Sequence, residues 1–264
     1  MSTAIAFDNF QLVYDKLTVS YVSGSVKKIV LKEFSFKVER GKFIAIVGPS
    51  GCGKSTLLNA TAKFIKEDSG TILLDGQAIK KSSLDIGFVF QNYALFDWLT
   101  VEENIGFGLK FTNLTKSEKK VTVEKLLRDI GLIEQRKYYP AELSGGMQQR
   151  VALARSIAPK PKVLLLDEPF AALDTDTKIK MRELLLQLWR VHGTTILFVT
   201  HDLEEALFLA DRVVIIQGVD GIAGTIDVSF PRPREFSIVY TTEFRGLVEN
   251  IANKFRTLKQ STGP

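Results

Sequence analysis

The stretch from Gly48 to Ser55 constrains the fold more than any other part of this 264-residue chain. It reads GPSGCGKS and fits the pattern G-x-x-x-x-G-K-[ST], whose glycines let backbone N–H groups surround phosphate oxygens. The apolar run KFIAIV precedes this stretch, and the helix-forming run TLLNATAKFI follows it. The sequence therefore predicts a buried strand, a phosphate-binding turn and the N-terminus of a helix in succession.

Two side chains in this turn have predicted roles in nucleotide binding. Lys54 supplies a cation for the outer phosphates, and the Ser55 hydroxyl can coordinate Mg²⁺. The helix N-terminus adds its partial positive charge. The alternative is an ordinary strand-to-helix turn. The predicted nucleotide-binding residues of this stretch are Gly48, Pro49, Ser50, Gly51, Cys52, Gly53, Lys54, Ser55 and Thr56.

Cys52 is the single cysteine of the chain, so an internal disulfide is excluded and the cytoplasm is the default compartment. A helix N-terminus lowers the pKa of a nearby thiol, which raises the hypothesis that Cys52 is a regulatory thiol. The simpler interpretation is that a small side chain suits this position in the loop.

Composition and charge narrow the class of protein further. Apolar residues make up 45% of the chain and charged residues 25%, which is typical of a soluble globular protein. No run of eighteen apolar residues occurs and the N-terminus lacks the features of a signal peptide, so any membrane role is expected to be peripheral. The net charge of +5 is modest and is not clustered, so a nucleic-acid partner is not expected.

The order of apolar and polar runs predicts an α/β protein. KFIAIVG, KVLLLDEP and TTILFVTHD read as buried parallel strands whose carboxyl ends meet at one edge of a sheet, where ligands bind in open α/β folds. The first third of the chain, with β-branched and aromatic residues in partial alternation, predicts antiparallel strands. From about Leu99 to Ile157 the pattern is helical and indicates an inserted helical subdomain.

Polar residues at the ends of the predicted strands are candidates for the chemistry. Asp167 suits Mg²⁺ binding, and Glu168 would then serve as general base for an attacking water. The alternative is that this acid pair caps the next helix. Asp174 follows in a short turn and is predicted either to contact the nucleotide or to cap a helix.

His201 and Gln91 also lie at predicted strand ends. His201 is expected to donate to the γ-phosphate or to hold the water in line, whereas His192 reads as an ordinary core or surface histidine. The Gln91 amide is expected to reach metal and water. Within LSGGMQQR, Ser144 is predicted to cap a helix whose first N–H groups, flanked by Gly145 and Gly146, form a second anion site.

Taken together, GPSGCGKST, VFQ, LSGGMQQR, LLLDEP, ALD and THD resemble the ATP-binding cassette (ABC) ATPases in order and spacing, over about residues 10 to 230. The family usually has Gln where this chain has Met147. The resemblance implies a P-loop NTPase (RecA-like) core formed by residues 1–92 and 158–230, with an antiparallel β-subdomain. It further implies an inserted α-helical subdomain at residues 93–157 and a C-terminal tail at residues 231–264.

The resemblance also implies ligands and partners. ATP and Mg²⁺ are the expected cofactors, Tyr21 looks like the adenine-stacking aromatic of the family, and core packing is its alternative. The residues Ser144, Gly145 and Gly146 would face the γ-phosphate held by a partner cassette. Two chains, identical or paralogous, would then enclose two ATP molecules head to tail, with binding closing the dimer and hydrolysis reopening it.

Closer resemblance is to the ATPases of nitrate, sulfonate and taurine importers, through VFQNYALFDWLTVEENI, DEPFAALD and the late PRPR. This implies an integral membrane permease as partner, a solute-binding protein as indirect partner, and a peripheral location at the cytoplasmic face of the cell membrane. The cluster of Tyr93, Leu95, Phe96 and Trp98 is predicted to be a groove for a permease helix. The alternative for this cluster is internal packing.

Two other functions compete with transport. A soluble cassette ATPase acting on DNA or ribosomes usually carries a coiled-coil insertion or two fused cassettes, and neither pattern is present in this sequence. A monomeric P-loop kinase would not need LSGG. The sequence of an ATPase of this kind does not identify the transported solute.

Overall fold

The computed structural model describes the backbone of residues 9–23 and 26–261 and the side chains of residues 9–22 and 26–255. The chain divides by its internal contacts into two units. The first unit joins the residues up to Ser82 with those from Thr195 onward, and the second spans Ser83–Thr194. This division places residues 83–92 and 158–194 with the helical segment, so the subdomain boundaries drawn from the sequence stay a prediction.

An antiparallel sheet with the strand order β2-β1-β4-β5 forms one part of the first unit. In β1, residues 11–14 are all buried, whereas over residues 17–20 buried and half-buried residues alternate. The register with β2 shifts between Tyr14 and Leu17, and Lys16 adopts a positive φ of 49°. An irregularity of the β-bulge type therefore separates the two stretches of this strand. The strands are β1 (Phe10–Ser23), β2 (Val26–Glu39), β4 (Ser69–Leu74) and β5 (Gln77–Ala78).

The other part of the first unit is an α/β layer. Its strands follow the order β10-β9-β3-β8, with β3 parallel to both β8 and β9 and with β10 antiparallel to β9. Every residue of β3 and β8 is buried, as expected for parallel strands that are continuous apolar runs. The elements are β3 (Phe43–Val47), α1 (Lys54–Thr61), β8 (Thr195–Val199), α6 (Leu203–Leu209), β9 (Arg212–Ile216), β10 (Ile222–Asp227) and α7 (Thr242–Ser261).

The second unit is mainly helical and contains two parallel strands, β6 (Ile86–Val89) and β7 (Val163–Asp167). Capping boxes at Thr100 and Thr115 start its first two helices. The second of these helices ends before Gly131, which adopts a φ of 67°, the left-handed conformation that glycine commonly takes just beyond a helix C-terminus. The helices are α2 (Val101–Gly106), α3 (Lys116–Asp129), α4 (Gly145–Ile157) and α5 (Thr175–His192).

Within the part of the chain that the structure describes, none of the helices combines the length and the apolar character that a bilayer span requires.

Candidate nucleotide-binding and catalytic site

The loop between β3 and α1 has the backbone that the glycine pattern predicts. Gly51 and Gly53 adopt φ values of 77° and 97°, which side chains other than glycine rarely tolerate. A Cβ added to Gly48 would lie 2.4 Å from the carbonyl oxygen of Ile216, so the backbone at Gly48 leaves no room for a side chain. Gly53 is the N-cap of α1, and this helix starts without a side-chain cap.

The Lys54 ammonium is held inside this loop. Its Nζ donates to the carbonyl oxygens of Gly48 and Pro49, each at 2.9 Å, and only 7% of Lys54 is exposed. A fixed cation, a glycine backbone and a helix N-terminus without a side-chain cap together fit the phosphate groups of a nucleotide. The predicted phosphate-binding turn is therefore built as the sequence requires.

Tyr21 lies beside the same helix. Its hydroxyl is 3.3 Å from Oγ1 of Thr56 in α1, and 44% of the residue is exposed. The alternative interpretation of Tyr21 as a core residue is therefore wrong. An exposed ring next to the phosphate loop is compatible with stacking on a base, and that role stays a prediction.

A compact turn presents His201 after β8. The Thr200 hydroxyl accepts a hydrogen bond from the Asp202 backbone N–H at 3.0 Å and donates to the Glu205 carboxylate at 2.8 Å. Asp202 in turn caps α6 by accepting from the N–H groups of Glu204 and Glu205. His201 is exposed between these anchored neighbours. The turn therefore has a defined backbone from which an imidazole can act.

The environment of Cys52 does not support the hypothesis of a thiol with a lowered pKa. Burial raises the pKa of its thiol above the ordinary value of 9.0, and the positive charge of Lys54 offsets only part of that effect. Cys52 is 8% exposed, and its Sγ would lie 2.7 Å from a Cβ placed on Gly48. The structure favours the simpler interpretation, a small side chain packed under the loop.

The raised pKa predicts slow alkylation of Cys52. At neutral pH, iodoacetamide should modify the folded protein more slowly than the urea-unfolded chain, because burial lowers both access and the thiolate fraction. The rate in the folded protein should still increase as the pH passes 9.0, the ordinary pKa value. Mass spectrometry of a pH series measures this directly, since Cys52 is the single cysteine. A rate that levels off below that pH would contradict the prediction.

In the second unit, the acid pair lies where β7 ends. Asp167 is the last residue of the strand, and Glu168 adopts a φ of 45° immediately before Pro169. The carbonyl oxygen of Glu168 accepts from the Ala171 N–H at 3.2 Å, which closes the turn. A left-handed conformation costs a residue with a side chain about 1 kcal/mol. Such strain is frequent at functional sites.

Asp174, and not the acid pair, caps the next helix. Its carboxylate accepts from the Thr177 N–H at 3.0 Å at the start of α5, and hydrogen bonds from Thr177 lower the pKa of Asp174. The alternative reading of Asp167 and Glu168 as a helix cap is therefore wrong. The prediction that Asp174 caps a helix is confirmed. A contact between Asp174 and a nucleotide stays a prediction.

The LSGG stretch starts α4 as predicted. The Ser144 hydroxyl accepts from the Met147 N–H at 3.4 Å, so Ser144 is the N-cap of this helix. A Cβ added to Gly146 would lie 2.7 Å from Cγ2 of Thr177, which shows that α4 and the first turn of α5 are in close contact. Gly145 is exposed at the start of the helix. Anion binding by these N–H groups stays a prediction.

Gln91 is exposed just beyond β6. The segment that follows it is held in place by Arg155, which the sequence analysis did not predict as a functional residue. Arg155 of α4 donates to the carbonyl oxygens of Tyr93 and Ala94 at 3.1 and 2.7 Å. Its guanidinium carbon lies 5.2 Å from the ring centroid of Phe96. A single arginine in the apolar run VALARSIA indicates a side chain that needs polar partners in the interior, but the sequence does not identify those partners.

The aromatic residues after Gln91 form an exposed surface. We define the aromatic surface as Phe96, Trp98, Phe107 and Phe111, whose neighbouring rings lie 4.4 to 6.0 Å apart between centroids. Trp98 is 72% exposed and Phe111 is 68% exposed, whereas Tyr93 and Leu95 are half-buried. Internal packing therefore does not account for Trp98. Buried Asn104 fixes the segment by bonding the backbone of Phe96 in both directions.

Similarity to known proteins identifies the family of this chain. The sequence profile described as "ABC transporter" matches residues 31–171. The chain belongs to the ABC transporter family. It is 44% identical over 240 residues to a nitrate import ATP-binding protein of Synechocystis sp., an alignment that covers 88% of this chain and 90% of that protein.

Two further similarities support the assignment. An aliphatic sulfonates import ATP-binding protein of Bacillus cereus is 46% identical over 206 residues, covering 78% of this chain and 81% of the relative. The dimeric structure of the ATP-binding cassette MJ0796 in a post-hydrolysis state, bound to ADP and Pi, superimposes with a TM-score of 0.73 at 30% identity. That comparison covers 83% of this ABC ATPase and all of the MJ0796 chain.

Family membership confirms the predicted fold class and enzyme class. The chain is an ABC ATPase with the P-loop NTPase architecture of its structural neighbours. The first unit carries Tyr21, the phosphate loop and His201, and the hydroxyls of Tyr21 and Thr56 meet within it. The second unit carries the acid pair, Gln91, Asp174 and the LSGG stretch. The roles of these side chains in one site stay a proposal.

Proposed function

We propose that this ABC ATPase is the motor subunit of an importer for a small anion of the nitrate, sulfonate or taurine type, which crosses the membrane through a separate permease. The observation that carries this proposal is the 44% identity to a nitrate import ATP-binding protein over 88% of the chain. The intact phosphate loop, with Lys54 bound by two loop carbonyls, supports an active motor rather than a degenerate one.

ATP would be bound mainly by the first unit. Tyr21 would stack on adenine, the residues from Gly48 to Thr56 would hold the phosphates, and Asp174 would add a further contact with the nucleotide. For Mg²⁺ the chain offers the hydroxyl of Ser55, the carboxylate of Asp167 and the amide of Gln91. These hard oxygen donors are the type that Mg²⁺ prefers alongside phosphate oxygens. At this position the ion would supply positive charge to the transferred phosphoryl group.

Hydrolysis needs a base and donors for the developing charge. Glu168 would accept the proton of the attacking water, since it directly follows Asp167, the proposed Mg²⁺ ligand, at the end of β7. His201 would donate to the γ-phosphate from its anchored turn, and Lys54 would stabilise the outer phosphate oxygens. Gln91 would orient the water and connect it to the segment that carries the aromatic surface.

The same chain would act as a dimer with a second copy or with a paralogous cassette. Ser144 caps α4, and the exposed Gly145 and half-buried Gly146 begin that helix, so its N–H groups suit the γ-phosphate of ATP held by the partner. The dimeric form of MJ0796 supports this arrangement. ATP would then be part of the interface, and its hydrolysis would open the dimer.

The aromatic surface would be the docking site for a permease helix at the cytoplasmic face of the membrane. Trp98 and Phe111 offer a large exposed apolar area, which is typical of protein interaction sites. Arg155 and Asn104 hold the backbone beneath it, so the surface is formed before a partner arrives. A solute-binding protein would take part only indirectly, through the permease.

Alanine at both Phe96 and Trp98 is expected to reduce recovery of the permease by about tenfold, because aromatic anchors dominate interface energies. ATP affinity should stay unchanged, since neither side chain belongs to the phosphate loop. The matched control is Tyr240→Ala, which removes an aromatic residue that is 67% exposed in the other unit. Equal recovery of the permease by the double variant and the control would contradict the proposal that the aromatic surface is the docking site.

The test of the proposed function is affinity purification of the tagged chain from gently solubilised native membranes, followed by mass spectrometry. Recovery of a polytopic permease and a solute-binding protein is the expected result, and the ligand of the solute-binding protein then identifies the cargo. Recovery of soluble or nucleic-acid partners alone would leave the ATPase assignment and overturn the importer assignment.

A further inference from the structure

A buried arginine holds the C-terminal end of α6. Arg234 is 6% exposed, and its Nη1 donates to the carbonyl oxygens of Leu207, Phe208 and Ala210 at 3.0, 3.0 and 2.7 Å. Its Nη2 donates to Val228 O and Phe230 O. The last carbonyls of a helix have no partners within it. One guanidinium therefore joins the end of α6 to the segment that follows β10.

The neighbouring Arg232 ties the same end to the strand that leads into the phosphate loop. It donates to Leu209 O at 2.6 Å and to the Asp211 carboxylate at 2.9 Å. The other oxygen of that carboxylate accepts from the N–H of Phe43, the first residue of β3. We call Arg232 and Arg234 with these partners the arginine clamp. The clamp fixes the end of α6 relative to β3.

The opposite end of α6 carries the turn of His201. Asp202 caps the helix, and Glu205 in its first turn accepts from the hydroxyl of Thr200, the residue before His201. Glu205 is only 3% exposed, so this link lies in the interior. A displacement of α6 would therefore move the His201 backbone directly.

A helix as short as α6 does not hold its position by itself. It has seven residues, and helices below about 12 residues are marginal in water without tertiary contacts. Burial lowers the pKa of Arg234 to about 10, so the guanidinium is still charged at neutral pH. A cation at the C-terminal end of a helix is electrostatically favourable. The clamp thus supplies both hydrogen bonds and charge where α6 needs them.

We propose that Arg234 is a positioning residue for catalysis, which acts through α6 to hold His201 in its productive place. The proposal rests on the role of His201 in hydrolysis proposed above. It gives a function to the last residue of the PRPR stretch, which the sequence analysis used only as evidence of family resemblance. Misplacing a catalytic group by about 1 Å can cost up to a hundredfold in rate.

The test compares Arg234→Lys and Arg234→Ala in steady-state ATPase assays of the full chain. Lysine keeps the charge but not the planar fork, so it is the variant that retains the fold if alanine does not. We expect kcat to fall about tenfold in the lysine variant while the KM for ATP stays within about twofold, because Lys54 and its loop are unchanged. Arg245→Ala, an exposed arginine on α7, is the matched control and should keep the original kcat.

A double-variant cycle with His201→Ala separates positioning from general destabilisation. If Arg234 acts through His201, adding Arg234→Lys to His201→Ala should lower kcat no further. An equal tenfold fall in that background, or an unchanged kcat in both Arg234 variants, would overturn the inference. An unchanged kcat in His201→Ala alone would instead remove the proposed role of His201, and the inference with it, so the two failures are distinguishable.

Discussion

Glu168→Gln is expected to lower steady-state ATP hydrolysis by about a hundredfold or more, the usual loss when a general base is removed. Glutamine keeps the size of the side chain but cannot accept the proton of the attacking water. Nucleotide binding should persist, because the phosphate loop and Lys54 are unchanged. Since ATP is then bound but not cleaved, the variant should remain a dimer for as long as ATP and Mg²⁺ are present.

Light scattering coupled to size-exclusion chromatography measures this outcome, with ATP in the running buffer and with ADP as the comparison. The matched control is Glu183→Gln, which makes the same chemical change at an exposed position on α5. The control should hydrolyse ATP at the original rate and should not accumulate as a dimer. A Glu168→Gln variant that stays monomeric with ATP, even when concentrated, would contradict the head-to-tail dimer.

Lys54→Ala is expected to weaken ATP binding by about a hundredfold and to abolish detectable hydrolysis. Hydrogen bonds to charged groups contribute about 1.5–3 kcal/mol each, and the upper value corresponds to roughly a hundredfold in affinity. The ammonium also bonds the carbonyls of Gly48 and Pro49, so its loss leaves two loop oxygens without that donor. Thermal unfolding of the variant measures how much of the effect is structural.

Isothermal titration with ATP gives the affinity, and Lys66→Ala serves as the control because Lys66 is an exposed lysine beyond the end of α1. Both variants change the net charge equally, so a difference between them reports the position of the cation. Equal ATP affinities for the two variants would refute the role of Lys54. Loss of binding in Lys54→Ala together with a lowered unfolding temperature would assign part of the role to loop stability.

Local patterns predicted the elements that present the candidate residues. β3, β7 and β8 are short apolar runs, so burial on both faces could be read directly from the sequence. The helix start at Ser144 and the stop at Gly131 follow from side-chain and backbone preferences that act within a few residues. Chemistry carried by neighbouring residues is therefore predictable from the sequence.

Contacts between distant residues were not predictable in this way. Arg155 bonds carbonyls about 60 positions away, and Arg234 bonds carbonyls of α6 more than twenty positions earlier. A backbone carbonyl has no residue-specific signal, so nothing in the sequence marks it as the partner of an arginine. The hypothesis of a lowered Cys52 pKa was wrong for a related reason. The helix N-terminus could be read from the sequence, but the burial that raises the pKa could not.

The exposure of Trp98 has a spectroscopic consequence. The chain contains two tryptophans, and Trp98, at 72% exposure, is the more solvated of the pair, since Trp189 is half-buried in α5. Indole emission moves to shorter wavelength when water is removed from the ring. Binding of a permease helix over the aromatic surface would therefore change the intrinsic fluorescence of this subunit. If the proposed docking takes place, Trp98 would report it without a label, and Trp98→Phe is the control for its signal.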